Sequence, residues 1–183
     1  MATLTSIRML LTSAVNQGLD IIHADIPRAF LKALLNTDTW LQLPPGISIQ
    51  GKAGKVLKVV KLIRSLYGLR DSPSSLNKEL VRFMKAAGFS QLESDKYIFY
   101  HIDKNTGKFV LVGCEVDDLI ITGNGASCIA RLKKKLQDDC RVKDWERIAS
   151  FLGLNISYDL TSDILAMGVK SKTEKLFEDH SIP

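Results

Sequence analysis

Residues 109–122, FVLVGCEVDDLIIT, constrain the fold of this chain more than any other stretch. Two apolar arms flank an acidic core in which Asp117 and Asp118 are adjacent. An apolar run, a short acidic turn and a second apolar run predict a β-hairpin with carboxylates at its tip. Adjacent carboxylates repel each other, and Mg²⁺ prefers carboxylate ligands together with substrate phosphates. Taken alone, the stretch is compatible with a cation site or with a solvated Asp-Asp turn.

The composition is that of an ordinary folded chain with a mild positive charge. Of the 183 residues, 45% are hydrophobic and 25% are charged, and no segment is of low complexity, which argues against disorder. This length suits one domain or one compact lobe with a sizeable core. The net charge of +5 permits nucleic-acid binding without requiring it.

Neither the cysteines nor the N-terminal residues indicate export or membrane insertion. The cysteines are three in number and lack metal-ligand spacing, so we expect reduced thiols. The N-terminal residues lack a basic start followed by a long apolar run, so neither a signal peptide nor a transmembrane helix is predicted. We therefore expect a cytoplasmic or nuclear protein without a membrane partner.

The rest of the sequence predicts helices interspersed among strands. A strand that ends at Asp25 precedes Pro27, which suits the first position of a helix over residues 28–35. Ser72 and Pro73 suit the N-cap and the first position of another helix. Further predicted elements are a helix over 4–17, strands over 39–43, 55–63, 97–102, 108–114, 119–122, 150–158 and 164–169, and helices after Gly125 and over 172–180. The pattern predicts an α+β fold, a mostly antiparallel sheet with helices packed on one face.

Short motifs along the chain carry a family resemblance. They are residues 25–31 (DIPRAFL), 41–46 (LQLPPG), 65–73 (SLYGLRDSP), Gly88 and Phe89 with Asp95, 116–118 (VDD) and 151–154 (FLGL). Taken together and in this order, they resemble the palm of reverse transcriptases from copia-type LTR retrotransposons. The resemblance covers nearly the whole chain.

The resemblance implies RNA-directed DNA synthesis by two-metal nucleotidyl transfer. It assigns Asp25, Asp117 and Asp118 as the catalytic acids, and it makes Asp25 and Asp117 the ligands of two Mg²⁺ or Mn²⁺ ions. Carboxylates from distant stretches must then meet at one point, because the two ions lie roughly 4 Å apart. The implied partners are an RNA or DNA primer–template and deoxynucleotides.

The same resemblance assigns Phe30, Tyr67 and Gly68 to nucleotide binding. Phe30 follows Asp25 closely in sequence and would lie under the incoming sugar, where it would exclude a 2′-hydroxyl. The alternative for Phe30 is an ordinary position in the core. Tyr67 and Gly68 would lie against the incoming nucleotide.

Departures from the family pattern keep a second function open. Glu115 stands where the family usually has tyrosine, and Asp71 stands where it usually has glutamine. At an effective dielectric near 20, a like charge about 6 Å away costs on the order of 3 kcal/mol, so each change opposes binding of a polyphosphate. We expect polymerase activity to be weak or absent. The alternative is a non-catalytic, domesticated remnant that binds a protein or a nucleic acid, with self-association as a further alternative.

The resemblance also predicts the domain organisation. Residues 1–183 are expected to form a single palm-like domain, with the N-terminal part of the fingers, the thumb and the ribonuclease H region absent from it.

Overall fold

The computed structural model describes residues 2–51, 54–169 and 177. The chain divides into two compact units: unit 1 comprises Met1–Pro27 and Met84–Pro183, and unit 2 comprises Arg28–Phe83. A single palm-like domain over residues 1–183 therefore stays a prediction. The helix expected over 172–180 lies, apart from residue 177, outside the described residues. Among the helices of the described part of the chain, none is long and apolar enough to cross a membrane.

The elements alternate between helices and short strands along the chain. In order they are α1 (Leu4–Asn16), β1 (Ile21–Asp25), a 3₁₀ helix (Ala29–Lys32), β2 (Leu34–Gln42), β3 (Ile49–Gln50), β4 (Val56–Leu57), β5 (Val59–Arg64), α2 (Ser72–Ala86), β6 (Ser90–Gln91), β7 (Ile98–Ile102), β8 (Phe109–Glu115), β9 (Asp118–Gly123), α3 (Ala126–Cys140), β10 (Glu146–Arg147), β11 (Ser150–Phe151), β12 (Leu154–Asp159) and β13 (Ile164–Gly168).

Unit 1 is built on a six-stranded sheet, the main sheet, with strand order β10-β1-β9-β8-β7-β6 and antiparallel neighbours throughout. The predicted hairpin forms its centre: β8 pairs with β9 from Val110↔Gly123 to Glu115↔Asp118. Gly123 has φ +148°, and a Cβ there would lie 2.3 Å from the carbonyl oxygen of Phe109, so only glycine fits. A second, three-stranded sheet has the order β11-β12-β13.

Helix α1 covers one face of the main sheet. A Cβ at Gly113 would lie 3.0 Å from Cδ1 of Ile7 and 3.3 Å from Cδ1 of Leu10, so the missing side chain lets the helix approach β8 closely. Ile7, Leu10 and Ile120 belong to one buried cluster. Each such buried aliphatic side chain contributes about 1.5–3 kcal/mol to stability.

Helix α3 packs against the opposite face. Side chains alternate along a strand, so Val110 faces away from the side that Gly113 presents to α1. A Cβ at Gly125, just before α3, would lie 3.1 Å from Cγ2 of Val110. Leu132 and Leu136 of α3 are fully buried. The predicted α+β class with a mostly antiparallel sheet is confirmed. The helices were expected on one face, but α1 and α3 lie on opposite faces of the main sheet, because side chains of both faces of β8 and β9 are apolar and buried.

Unit 2 contains two-stranded ribbons and most of α2. Strand β2 pairs antiparallel with β5, and β3 pairs with β4. Helix α2 begins at Ser72, near the predicted start. The Ser72 hydroxyl, predicted to cap this helix, instead donates to the carbonyl of Leu66 at 2.6 Å.

The helix predicted over residues 28–35 is wrong. Arg28 has φ 56°, a left-handed conformation, and only the 3₁₀ helix follows it before β2 begins. The Arg64 guanidinium donates to the carbonyls of Leu31 (3.3 Å) and Lys32 (2.9 Å), and the amide of Ser65 donates to Ala33 (2.9 Å). These carbonyls therefore accept hydrogen bonds from Arg64 and Ser65 at the end of β5, and not from the amides of a continuing α-helix.

Candidate active site

Three acidic side chains from three neighbouring strands line up at one end of the main sheet. Asp25 on β1 lies directly opposite Asp118 on β9, and Asp118 lies directly opposite Glu115 on β8. Opposite residues of antiparallel strands have Cα atoms about 4.5–5.5 Å apart and side chains on the same face. We call Asp25, Asp118 and Glu115 the acid row.

Asp117 lies in the turn beside the acid row. Val116 and Asp117 connect β8 to β9, and Val116 has φ 54°. The amide of Ile26, which follows Asp25, donates to the backbone carbonyl of Asp117 at 2.8 Å. The structure thus brings together Asp25, Asp117 and Asp118, the three acids singled out from the sequence.

The pKa of Asp25 shows that these carboxylates interact. Partial burial raises the pKa of the Asp25 carboxyl above its ordinary value, and the charges of Asp117 and Asp118 raise it further. The neighbouring His23 opposes the shift. Two carboxylates close to a third disfavour its ionised form, and a bound cation removes that penalty.

Glu115 is buried in the row rather than turned into solvent. Its side chain is 8% exposed, and Oε2 accepts a hydrogen bond from the amide of Ala2 at 3.1 Å. Burial raises the pKa of Glu115; the Ala2 hydrogen bond opposes this rise, and the charges of Asp118 and Asp117 add to it. The residue that replaces the family's tyrosine therefore contacts the chain just before α1.

Asp71, the other acidic departure, belongs to unit 2. It is exposed, and its Oδ2 accepts a hydrogen bond from the hydroxyl of Thr37 at 3.2 Å.

His23 is a neighbour of the acids that the sequence did not point to. Its Nε2 lies 3.0 Å from Oδ1 of Asp118, and its ring meets that of the buried Phe151 edge-on at 6.3 Å between centroids. A lone histidine between apolar residues predicts a packed or surface position. The signal that could have identified it is its spacing of two from Asp25, which places both side chains on the same face of β1.

The three residues assigned to nucleotide binding lie in unit 2, and two of them are in contact. The rings of Phe30 and Tyr67 pack edge to face, with centroids 4.7 Å apart. Phe30 is buried, whereas Tyr67 is 59% exposed. Gly68 has φ +87°, and a Cβ there would meet nothing within 4 Å.

The carboxylates suit a divalent cation in chemistry, although they do not form a ready-made cage. Within the described ranges, no three His, Cys, Asp or Glu side chains are arranged as a metal site. Carboxylate oxygens are nevertheless the ligands that Mg²⁺ prefers, and the mutual repulsion at Asp25 is what such an ion would relieve. Asp25 and Asp117 would be the residues to hold it.

The mostly antiparallel main sheet, with paired acids at the tip of its central hairpin, is a palm-like fold. A solved structure of apo telomerase from Candida tropicalis, truncated from its C-terminal domain, has a similar fold. The TM-score is 0.50 at 11% sequence identity, over 91% of this chain and 40% of that one.

Sequence comparison then shows the family. Residues 1–179 match the profile described as reverse transcriptase (RNA-dependent DNA polymerase). The chain is 30% identical over 96% of its length to the retrovirus-related Pol polyprotein from transposon TNT 1-94 of Nicotiana tabacum. It is 33% identical over 82% of its length to that from transposon RE1 of Arabidopsis thaliana. The chain belongs to the reverse transcriptase family of copia-type retrotransposons. It spans 13% and 10% of the length of these two relatives.

Proposed function

We propose that this chain carries the nucleotidyl-transfer site of an RNA-directed DNA polymerase, with Asp25, Asp117 and Asp118 as its catalytic acids. The pairing of Asp25 with Asp118, with Asp117 in the adjoining turn, is the observation that carries the proposal. Asp25 and Asp117 are the proposed ligands of two Mg²⁺ or Mn²⁺ ions. When bound, such ions activate the primer hydroxyl and stabilise the leaving pyrophosphate.

The chain's own residues prepare these acids in different ways. The amide of Ile26 holds the backbone of Asp117 and so fixes the turn against β1. Nε2 of His23 donates to Oδ1 of Asp118 at 3.0 Å and so restricts the rotamer of that carboxylate. Partial burial and the charges of Asp117 and Asp118 raise the pKa of Asp25, so a bound cation would favour the ionised form of this carboxyl.

Phe30, Tyr67 and Gly68 are the residues proposed to contact the incoming deoxynucleotide. The exposed ring of Tyr67 offers a stacking surface, and the edge-to-face contact with Phe30 holds that ring in place. The absent side chain of Gly68 allows a ligand to approach the backbone. An RNA or DNA primer–template is the proposed second substrate.

Primer extension tests the proposal directly. Purified protein, a labelled primer–template, deoxynucleotides and Mg²⁺ or Mn²⁺ should give weak extension, because the buried Glu115 adds negative charge to the acid row. Asp117→Asn should reduce the rate by about a hundredfold or more. Loss of a residue that only supports a metal ligand already costs about 10- to 100-fold, and Asp117 is itself a proposed ligand. The exposed Asp138→Asn on α3 removes the same charge and should leave the rate unchanged. Extension that survives Asp117→Asn contradicts the proposal.

A second candidate is a module that binds nucleic acid without chemistry. It is favoured by the buried Glu115, which adds negative charge to the row, and by the hydrogen bond that occupies Asp118. Binding of the primer–template without extension under either metal, unaffected by Asp117→Asn, would select this candidate.

A further inference from the structure

Unit 2 contains a basic pocket that involves none of the residues assigned above. Its volume is about 460 Å³, and it lies where the start of β2, the end of β5 and α2 meet. Lys32, Arg64, Lys78 and Arg82 line it, with Glu79 as the one acidic side chain. Four positive charges and one negative charge give the lining a net charge of +3. We call this the unit 2 pocket.

The fold positions these cations on fixed supports. Lys78 and Arg82 are four residues apart on α2, and they therefore share one face of the helix. Nη1 of Arg64 donates to the carbonyls of Leu31 and Lys32, which ties the guanidinium to the pocket wall. A guanidinium has five N–H donors, so this anchoring leaves Arg64 with donors for a ligand.

The positive charges of the pocket are only partly balanced. Arg82 pairs with Glu79 on the same helix, with Nε 3.2 Å from Oε2. Lys32 and Lys78 form no ion pair with an acidic side chain among the residues described here. Cations gathered around a concave surface repel one another, and an anion bound between them is attracted by the summed field.

We propose that the unit 2 pocket binds phosphate groups, supplied either by a nucleic-acid backbone or by a free polyphosphate. Guanidinium groups match the geometry of phosphate oxygens, and lysine ammonium groups add point charges that are not restricted in direction. Both are present here on rigid supports. This proposal rests on the proposed function only where it names nucleic acid as one source of the phosphate groups.

Binding without chemistry tests the pocket. Anisotropy of a short fluorescein-labelled single-stranded DNA is measured across salt concentrations, without divalent cations or deoxynucleotides. Lys32→Gln with Lys78→Gln should weaken binding about tenfold and lower the log–log salt slope by about 1.4, since each single-strand phosphate contact contributes about 0.7. The matched control, Lys104→Gln with Lys108→Gln in the loop between β7 and β8, removes the same charge outside the pocket. It should change binding much less.

A variant of opposite sign separates pocket binding from general damage. Glu79→Gln removes the acid of the pocket and frees Arg82, which raises the net charge of the lining from +3 to +4, so DNA binding should tighten by about threefold. Glu93→Gln, an exposed acid of unit 1, is its control.

Competition by tripolyphosphate distinguishes the two sources. If tripolyphosphate binds the wild-type protein but not Lys32→Gln with Lys78→Gln, while DNA affinity is the same in both, the ligand is a free polyphosphate. The proposal is overturned if the pocket variant and the control lose affinity for DNA and for tripolyphosphate to the same extent. It is also overturned if neither variant loses affinity for either ligand. Because no synthesis is measured, an inactive polymerase leaves this test intact.

Discussion

Four carboxylates lie at one end of the main sheet, and each experiences a different environment. Asp25 is partly buried and surrounded by like charge, and Asp118 is hydrogen-bonded to His23. Asp117 is in a turn, and Glu115 is buried against the amide of Ala2. Repulsion among such groups lowers the stability of the folded chain. The site therefore carries a free-energy cost that a bound cation would remove.

Asp25→Asn should reveal that cost. A carboxyl whose pKa is raised on folding destabilises the fold as pH rises through that pKa, so the metal-free variant should melt above wild type at pH 7. The difference should vanish below about pH 4, where aspartates are protonated. Saturating Mg²⁺ should raise the melting temperature of wild type by about 5–10 °C, and that of the variant much less.

Differential scanning fluorimetry with and without EDTA measures both effects. Asp138→Asn on α3 is the charge control and should respond to Mg²⁺ like wild type. An equal response of Asp25→Asn would show that the cation does not bind beside this residue.

At the scale of single elements, α1 is held at its start by side chains from elsewhere in unit 1. Thr3 caps the helix by accepting from the amide of Ser6 at 3.1 Å. Buried Asp95 accepts from the amides of Thr3 (2.9 Å) and Tyr97 (2.9 Å). One carboxylate thus ties the helix start to the loop before β7.

Asp95→Asn should lower the free energy of unfolding at pH 7 by about 1–3 kcal/mol, because an amide has one acceptor oxygen and its NH2 group would face one of the two N–H donors. Burial raises the pKa of Asp95, but hydrogen bonds from Ser6, Thr3 and Tyr97 outweigh it and hold the pKa below its ordinary value. A lowered pKa stabilises the fold above the unfolded-state pKa near 4, and this stabilisation is lost as pH falls through the folded-state value.

Urea denaturation at pH 7 and below pH 3 checks the prediction for Asp95. The gap between wild type and variant should shrink at the lower pH. Glu93→Gln removes an exposed charge from the same loop and should have little effect. If the two variants were equally stable, the anchoring role of Asp95 would be wrong.

Local pattern was enough to predict the elements that carry the acids. The change from apolar to acidic residues in 109–122 predicted the hairpin, and the run before Asp25 predicted β1. The family resemblance predicted only that the acids meet. The direct pairing of Asp25 with Asp118 was not predicted, because strand register over such a distance leaves no local signal. The helix predicted over 28–35 failed because Arg64, remote in sequence, binds the carbonyls that the helix would need.

At the scale of the whole molecule, the division into two units was not visible in the sequence. No glycine- or proline-rich linker marks the boundaries at Pro27 and Phe83, since the chain passes from β1 into unit 2 without a change in composition. The units also differ in construction. Strands β8 and β9 are hydrogen-bonded on both edges, whereas β3 and β4 form an isolated pair.

Hydrogen exchange should reflect this difference. Amides of β8 and β9 should exchange at least about a hundredfold more slowly than those of β3 and β4, since opening free energies range from near zero to the global value. A two-stranded pair is marginal by itself, which is why we expect it to open first. Mass spectrometry of peptides from each segment measures the rates. Equal protection of the two pairs would contradict the expectation.

Strand β1 has consequences for synthesis on the ribosome. It precedes unit 2 in the chain, yet both strands that flank it, β9 and β10, follow unit 2. The bond between His23 and Asp118 spans 95 residues. The nascent polypeptide must therefore carry β1 unpaired while all of Arg28–Phe83 is translated, a period in which chaperone binding or aggregation competes. The acids become neighbours only after residues 117 and 118 have been translated.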